Sequence, residues 1–347
     1  MNKLLGKILF EKDSHKKLRP ASVTKIMSIL LIMEALDRGD ITLDTQIPCS
    51  ENASSMGGSQ IWLDSTESLT VNEMLKAICI VSANDCTVAM AEHLAGSEDL
   101  FVKKMNERAK ELGMNDTTFK NCHGIDEDGH LTSSYDIGLM SRELLTNHPE
   151  VTKYTTIWMD SLRDGQSELV NTNKLVRTYD GITGLKTGST SLALYNLSAS
   201  ASRDDLSLIA VVLRAPTPKI RFSEAKLLLD YGFSNYTFKN LCQKNCFATQ
   251  TTVSKGTKNT VNLLFESDNG ILIEKNLENV NEIRQEFVLN ENITAPISKG
   301  DILGKIDYYV GDTIKASINL IAEEDIEKNN LFNTFRHISK QWITLLK

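Results

Sequence analysis

A serine hydroxyl becomes a nucleophile when a base takes its proton, and a lysine becomes such a base once it has lost its own charge. Ser22-Val23-Thr24-Lys25 sets both groups three positions apart, on one face of a helix, where oxygen and amine can touch. The pair opens an apolar run, Ile26-Met27-Ser28-Ile29-Leu30-Leu31-Ile32-Met33. A helix greasy on nearly every face sits in the centre of a domain. Lysine is rarely buried without a partner, and a cation at a helix start opposes the macrodipole. Departures of this kind are expected at functional sites. The same surroundings lower the lysine pKa and leave an amine able to deprotonate serine. The chain has three Ser-x-x-Lys strings, at Ser14, Ser22 and Ser223, and only the second opens such a helix.

Two further strings supply complementary groups. Ser82-Ala83-Asn84 follows the apolar Ala77-Ile78-Cys79-Ile80-Val81, and residues two apart in an extended turn point the same way, so a hydroxyl and an amide face one cleft. Ser-x-Asn occurs four times, at Ser50, Ser82, Ser267 and Ser317. The literal Ser267-Asp268-Asn269 is set aside, because Asp-Asn-Gly late in the chain reads as a hairpin turn. Lys186-Thr187-Gly188 occurs once. Its glycine lets a ligand approach a strand closely, and its lysine and threonine offer a cation and a hydroxyl to a carboxylate.

Those groups need helices and a strand to hold them. Residues 20–38 read as a helix, with Pro20 at its first position and Gly39 as its stop. Further helices are expected at 71–95, 97–112 and 134–147, the first opened by a Thr70/Glu73 capping box. Leu206 to Leu213 suits a central strand, and Arg221 to Tyr231 a helix ending at Gly232. From about 238 the chain is polar and strand-like, with turns expected at Asp268-Asn269-Gly270 and Gly311-Asp312. The expected division is 1–237, 238–326 and a terminal helix over 327–347.

Composition sets the outer limits. A chain of 347 residues exceeds one ordinary domain, and 41% apolar with 24% charged residues supports packed cores. The net charge of -7 argues against nucleic acid as a partner. The apolar runs are too short to span a bilayer. Cys49, Cys79, Cys86, Cys122, Cys242 and Cys246 contain no Cys-x-x-Cys pair, which excludes a zinc ribbon or thioredoxin motif. His123 and His130, with Asp126 and Asp128 between, match no zinc or calcium spacing and read as a polar turn, so neither metal nor cofactor is expected.

Ser-x-x-Lys, then Ser-x-Asn, then Lys-Thr-Gly is the ordered signature of penicillin-binding proteins and serine β-lactamases. Pro20 to Met27, Val81 to Asp85 and Gly184 to Thr190 resemble the low-molecular-weight penicillin-binding proteins, the D-alanyl-D-alanine carboxypeptidases of serine peptidase family S11. His123-Gly124-Ile125-Asp126 through His130-Leu131-Thr132-Ser133 and Ala295 to Gly300 are similar to that family too. The resemblance implies an α/β (α+β) transpeptidase-like domain, an antiparallel sheet with flanking helices, followed by a small β-rich domain. It implies acylation of Ser22 with Lys25 as base and Ser82 as proton relay. Asn84 would bind the peptide amide, Lys186 and Thr187 would hold the terminal carboxylate or steer the proton relay, and Gly188 and Ser189 would lie among the substrate-binding residues. The N–H groups of Ser22 and Ser189 would form the oxyanion hole, and Arg221 the carboxylate-side arginine, with Arg214 competing. The implied partners are a peptidoglycan stem peptide ending in D-Ala-D-Ala and β-lactam antibiotics.

Leu331, Phe335, Ile338, Trp342 and Leu345 form one helical stripe, and no acid follows Glu327. A basic helix with Trp on its apolar face suits a membrane surface, and the resemblance supports that reading. No secretory signal is visible, since the apolar stretch after Met1-Asn2-Lys3 stops at once. The family begins with such a signal and a strand, whereas here Gly6-Lys7-Ile8-Leu9-Phe10 follows the first methionine almost directly. An extracytoplasmic place, peripheral on the membrane, is still expected. A β-lactamase shares the three motifs but needs a deacylating glutamate in Glu-x-x-Leu-Asn, which this chain lacks. The other alternative is a catalytically silent peptidoglycan-binding relative.

Overall fold

The structure, a computed structural model, describes residues 1–276 and 283–329. The chain divides into two compact units, Met1–Ser234 and the residues from Asn235 onward.

At the centre of the first unit lies the helix Lys25–Arg38, whose Ile26, Ile29, Leu30 and Ile32 share one core with Leu75, Ile78, Val88 and Ile137. The expected helix from Pro20 starts later. Ala21 has φ +50, a left-handed conformation that no α-helix runs through, so Ala21–Thr24 form a tight 3-10 turn before it. The helix ends as expected at Gly39, whose φ of +76 lets the Gly39 and Asp40 N–H groups bond Leu36 and Ala35 oxygens at 3.0 Å each.

The expected helix at 71–95 is two, Val71–Ile80 and Asn84–Ala95, because Ser82 adopts φ +68 between them. The capping box is present: Glu73 N–H donates to Thr70 Oγ1 at 3.2 Å, and Thr70 N–H to Glu73 Oε2 at 2.8 Å. Glu98–Glu111 and Ser134–Asn147 complete the helical layer, each opened by a serine cap.

Ile182–Thr190, Leu194–Arg203 and Leu206–Ala215 form an antiparallel sheet in chain order. Met1 and Lys3 bond the outer edge of the third strand through Ile209 and Ser207. Beyond Ile209 a groove of about 450 Å³ follows that edge, lined by Leu9, Phe10, Val211, Leu213 and Tyr231. The helix Pro218–Asn235 passes through Gly232 rather than stopping there. A Cβ on Gly232 would lie 2.4 Å from Leu208 Cδ1, so this glycine lets helix and sheet approach closely.

The second unit is β-rich. Ile283–Leu289, Ile302–Val310, Thr313–Ala322, Thr260–Phe265 and Phe247–Thr252 form one sheet in that order over Val261, Leu263, Ile306 and Leu320. The Gly311-Asp312 turn joins two paired strands, as expected. Asp268-Asn269-Gly270 is not a tight hairpin. Asn269–Glu274 pairs instead with Tyr236–Cys242, through a bulge at Asn269/Gly270. A Cβ on Gly270 would lie 2.3 Å from Phe238 Cζ, so close packing accounts for this glycine. No helix among the described residues is long and apolar enough to cross a membrane. The amphipathic stripe at 331–347 lies outside the described residues.

Replacing Thr70 by Ala removes the acceptor for the Glu73 N–H. It is expected to cost about 1 kcal/mol, seen as a lower urea midpoint at unchanged slope.

Candidate active site

Lys25 is 0% exposed, and its Nζ lies 2.6 Å from Asn84 Oδ1, 2.7 Å from the His123 carbonyl and 3.2 Å from Ser22 Oγ. Burial, and next the nearby Lys186 cation, push its pKa well below that of a free lysine. A neutral amine has two hydrogens and one lone pair. In that form the two short contacts can take the hydrogens, and the lone pair faces the Ser22 hydroxyl and can accept from it. Asn84 is held from both ends: its backbone N–H bonds the Ser59 carbonyl and its Nδ2 the Gly57 carbonyl, each at 2.7 Å. That second bond turns Oδ1 toward the lysine.

Ser82 lies in the break between two helices, buried, with φ +68. Its hydroxyl has no hydrogen-bond partner among the described residues. An unpaired buried hydroxyl costs about 1–3 kcal/mol, which a ligand or a passing proton would recover.

The strand Ile182–Thr190 brings the third string to the same turn. A Cβ on Gly188 would lie 2.8 Å from the backbone nitrogens of Ser22 and Val23 and 2.9 Å from the Pro20 oxygen. Ser189, the next residue on that strand, is exposed. Lys186 is 1% exposed; burial lowers its pKa to about 8, and its Nζ reaches the Thr187 carbonyl at 3.3 Å. Thr187 Oγ1 donates to Thr172 Oγ1 at 2.7 Å.

Arg221 is buried beneath this strand. Its Nη1 donates to the carbonyls of Asn196 at 3.3 Å and Gly188 at 3.5 Å, and burial lowers its pKa to about 10. Arg214 is exposed, so of the two arginines Arg221 reaches the strand. Among the described residues neither Lys186 nor Arg221 pairs with a carboxylate, which suits a site that receives an anionic group. The other two Ser-x-x-Lys strings fall elsewhere: Ser223 is exposed inside the helix Pro218–Asn235, and Ser14 bonds Glu11 at the surface. Ser267-Asp268-Asn269 belongs to the second unit.

Several positioning groups went unread in the sequence. Asn196, fully buried, donates through Nδ2 to the carbonyls of Arg19 and Pro20 at 2.9 Å each and accepts from Arg214 N–H at 2.7 Å. An asparagine inside the strand Leu194–Arg203 was the available signal. His130 accepts the Lys120 N–H at Nδ1, so its proton is on Nε2, which donates to Thr24 Oγ1 at 2.8 Å. Burial lowers the pKa of His130 to about 4 and that of His123 to about 3; the His130 ring braces Thr24, while the His123 ring accepts the Ile125 N–H at Nδ1. Gly124 has φ +93, and a Cβ there would lie 2.0 Å from the Ala21 oxygen.

A serine beside a desolvated lysine, with a cationic strand against the same turn, defines a serine acyl-transfer site. The D-alanyl-D-alanine carboxypeptidase family model matches residues 1–217, and the C-terminal domain of penicillin-binding protein 5 matches residues 236–328. The chain is 43% identical over 340 residues to the D-alanyl-D-alanine carboxypeptidase DacF of Bacillus subtilis, covering 97% of this chain and 87% of that one. Penicillin-binding protein 5 from Haemophilus influenzae superposes with a TM-score of 0.83 at 30% identity, over 94% of this chain and 96% of that one. Penicillin-binding protein D2 from Listeria monocytogenes in its ampicillin-bound form superposes with a TM-score of 0.61 at 30% identity, over 67% of this chain and 94% of that one. The chain belongs to the D-alanyl-D-alanine carboxypeptidase family of serine peptidases, S11.

The two lysines set opposite pH limits. A lysine serving as general base acts only when neutral, so with Lys25 in that role kcat/KM is expected to fall as pH drops below its lowered pKa. A lysine attracts a carboxylate only when charged, so with Lys186 in that role KM is expected to rise as pH climbs through about 8. A pH series of kcat and KM checks both limbs, and Lys186→Arg should move the alkaline limb upward.

Proposed function

We propose that this chain removes the terminal D-alanine from peptidoglycan stem peptides through an acyl-enzyme on Ser22, and that β-lactams acylate the same oxygen. The observation that carries the reading is the placement of Lys25 Nζ between Asn84 Oδ1, the His123 carbonyl and Ser22 Oγ. Ser22 Oγ attacks the carbonyl between the two D-alanines while its proton passes to Lys25. The N–H groups of Ser22 and Ser189 receive the oxyanion. Ser82 relays the proton from Lys25 to the departing amine, and D-alanine leaves. Water then hydrolyses the ester and restores the hydroxyl. Asn84 keeps its second amide hydrogen for the acyl-side peptide. Lys186 and Thr187, with Arg221 behind them, hold the terminal carboxylate, and Gly188 lets their strand lie against the Ser22 turn.

The catalytic domain is taken as 1–237 and the β-rich domain as 238–326. The substrate class lies outside the cytoplasmic membrane, which places the site there. The stretch 327–347 is assigned to the membrane surface, supported by its stripe of Leu331, Phe335, Ile338, Trp342 and Leu345 and its lack of acids after Glu327.

Intact-mass analysis after penicillin treatment should show a single adduct mapping to Ser22. Ser22→Ala should abolish both the adduct and D-alanine release, and a surviving adduct would sink the assignment. Rapid repeated turnover of nitrocefin would mark a β-lactamase instead, and failure to form any adduct a silent binding relative. Deleting 331–347 should move the protein from the membrane fraction to the soluble one; unchanged recovery on membranes would refute the anchor.

A further inference from the structure

Trp62 is 77% exposed, the most exposed of the large apolar side chains among the described residues. Its neighbours Ile61 and Leu63 are buried at 4% and 3%, so a period-two alternation turns the indole outward. Its backbone has φ +54, a conformation that a bulky side chain rarely adopts.

The segment is nevertheless tightly held. Asp85, fully buried, accepts from Ile61 N–H at 3.0 Å and Leu63 N–H at 3.1 Å, one residue either side of the tryptophan. Arg163 donates to the Ile61 carbonyl at 2.9 Å and the Trp62 carbonyl at 3.4 Å. Its guanidinium is fixed in turn by a two-pronged pair with Glu67, at 2.6 and 2.7 Å. With the Gln60 amide turned to satisfy both its ends, its oxygen accepts from Trp62 Nε1 at 3.3 Å and its nitrogen donates to the Met56 carbonyl at 2.6 Å. The ring is therefore presented on a rigid mount, and a rigid surface loses little freedom when something binds it.

The mount adjoins the site. Asp85 follows Asn84, and the Asn84 N–H and Nδ2 bond Ser59 and Gly57, the start of the same segment. Gly57, Gly58 and Ser59 are exposed. A Cβ on Gly58 would lie 2.8 Å from Asn84 Nδ2, so bare backbone floors the passage from Asn84. From Ser59 to Trp62 is three residues, at most about 10 Å of chain, or about three residues of an extended peptide.

We propose that Gly57 to Trp62 form a shelf for the part of the stem peptide that precedes D-Ala-D-Ala, with the Trp62 ring stacked on the residues upstream of the one Asn84 holds. This rests on the carboxypeptidase reading and adds a residue that selects for peptide length. The aromatic face packs against aliphatic stem and peptide planes without needing one particular side chain.

The test compares two probes on the full chain. One is N-acetyl-D-Ala-D-Ala; the other is the pentapeptide L-Ala-γ-D-Glu-L-Lys-D-Ala-D-Ala, with its diaminopimelate counterpart. Trp62→Ala is expected to lower kcat/KM on the pentapeptides about tenfold, mainly through KM, and on the dipeptide less than twofold. Trp62→Tyr should restore most of the difference, and penicillin should still label the Ala variant at Ser22. Equal loss on both probes would reveal a structural role, and no loss on either would leave the shelf without function; both overturn the proposal. If the unsubstituted chain released no D-alanine from any probe and took no penicillin, the carboxypeptidase reading itself would fail.

Discussion

The removal of one ammonium group from water governs the first unit. Stripping a cation of its hydration costs several kcal/mol even after the protein relaxes, and it is cheaper for the group to shed its proton. Lys25 is pushed toward that condition, its pKa well below that of a free lysine, because it opens a helix buried on nearly all sides and because Lys186 adds a second positive charge nearby. The apolar body of Lys25–Arg38 therefore does more than fill a core: it sets the basicity of the amine at its head. The carbonyl of His123 and the amide of Asn84 then orient that amine without offering it a negative charge, which would restore its proton.

Around the amine the backbone is bent where ordinary helices would be straight. Ala21 and Ser82 both lie at positive φ, at a cost of about 1–2 kcal/mol each. Such conformations persist when neighbours over-determine them. Asn196 fixes the carbonyls of Arg19 and Pro20, and His130 braces Thr24. Strain, desolvation and an unanswered pair of cations thus meet in one place. Each is unfavourable alone, and a ligand with a carboxylate at its end would answer the unpaired cations.

What could be read without coordinates followed from local rules. The nucleophile pair, the Thr70/Glu73 cap, the Gly39 stop and the Gly311-Asp312 turn each depend on residues within a few positions of one another. At Ser82 the sequence offered two readings, an extended turn for Ser82-Ala83-Asn84 and one helix over 71–95; the turn is what forms, and nothing local marks the reversal of φ that sets it. Gly232 and Asn269-Gly270 look like punctuation, yet each answers to a side chain elsewhere in the chain, Leu208 and Phe238. The bonds from Asn196 to Arg19 and Pro20 and the Arg163–Glu67 pair were hidden for the same reason: they join positions 96 to 177 apart. The amphipathic end shows the converse, a pattern plain in the sequence for which the described residues offer no counterpart.

The turn that carries Ser22 is walled by naked backbone. Gly124 crowds the Ala21 oxygen and Gly188 crowds the Ser22 and Val23 nitrogens, so neither position can take even a methyl group without moving the nucleophile. A bulkier neighbour that would shield the Ser22 hydroxyl from what enters the cleft is therefore closed off at both places. Inherited change in what this cleft accepts is left to its margin, where exposed residues can vary while the Ser22 hydroxyl keeps its place beside Lys25.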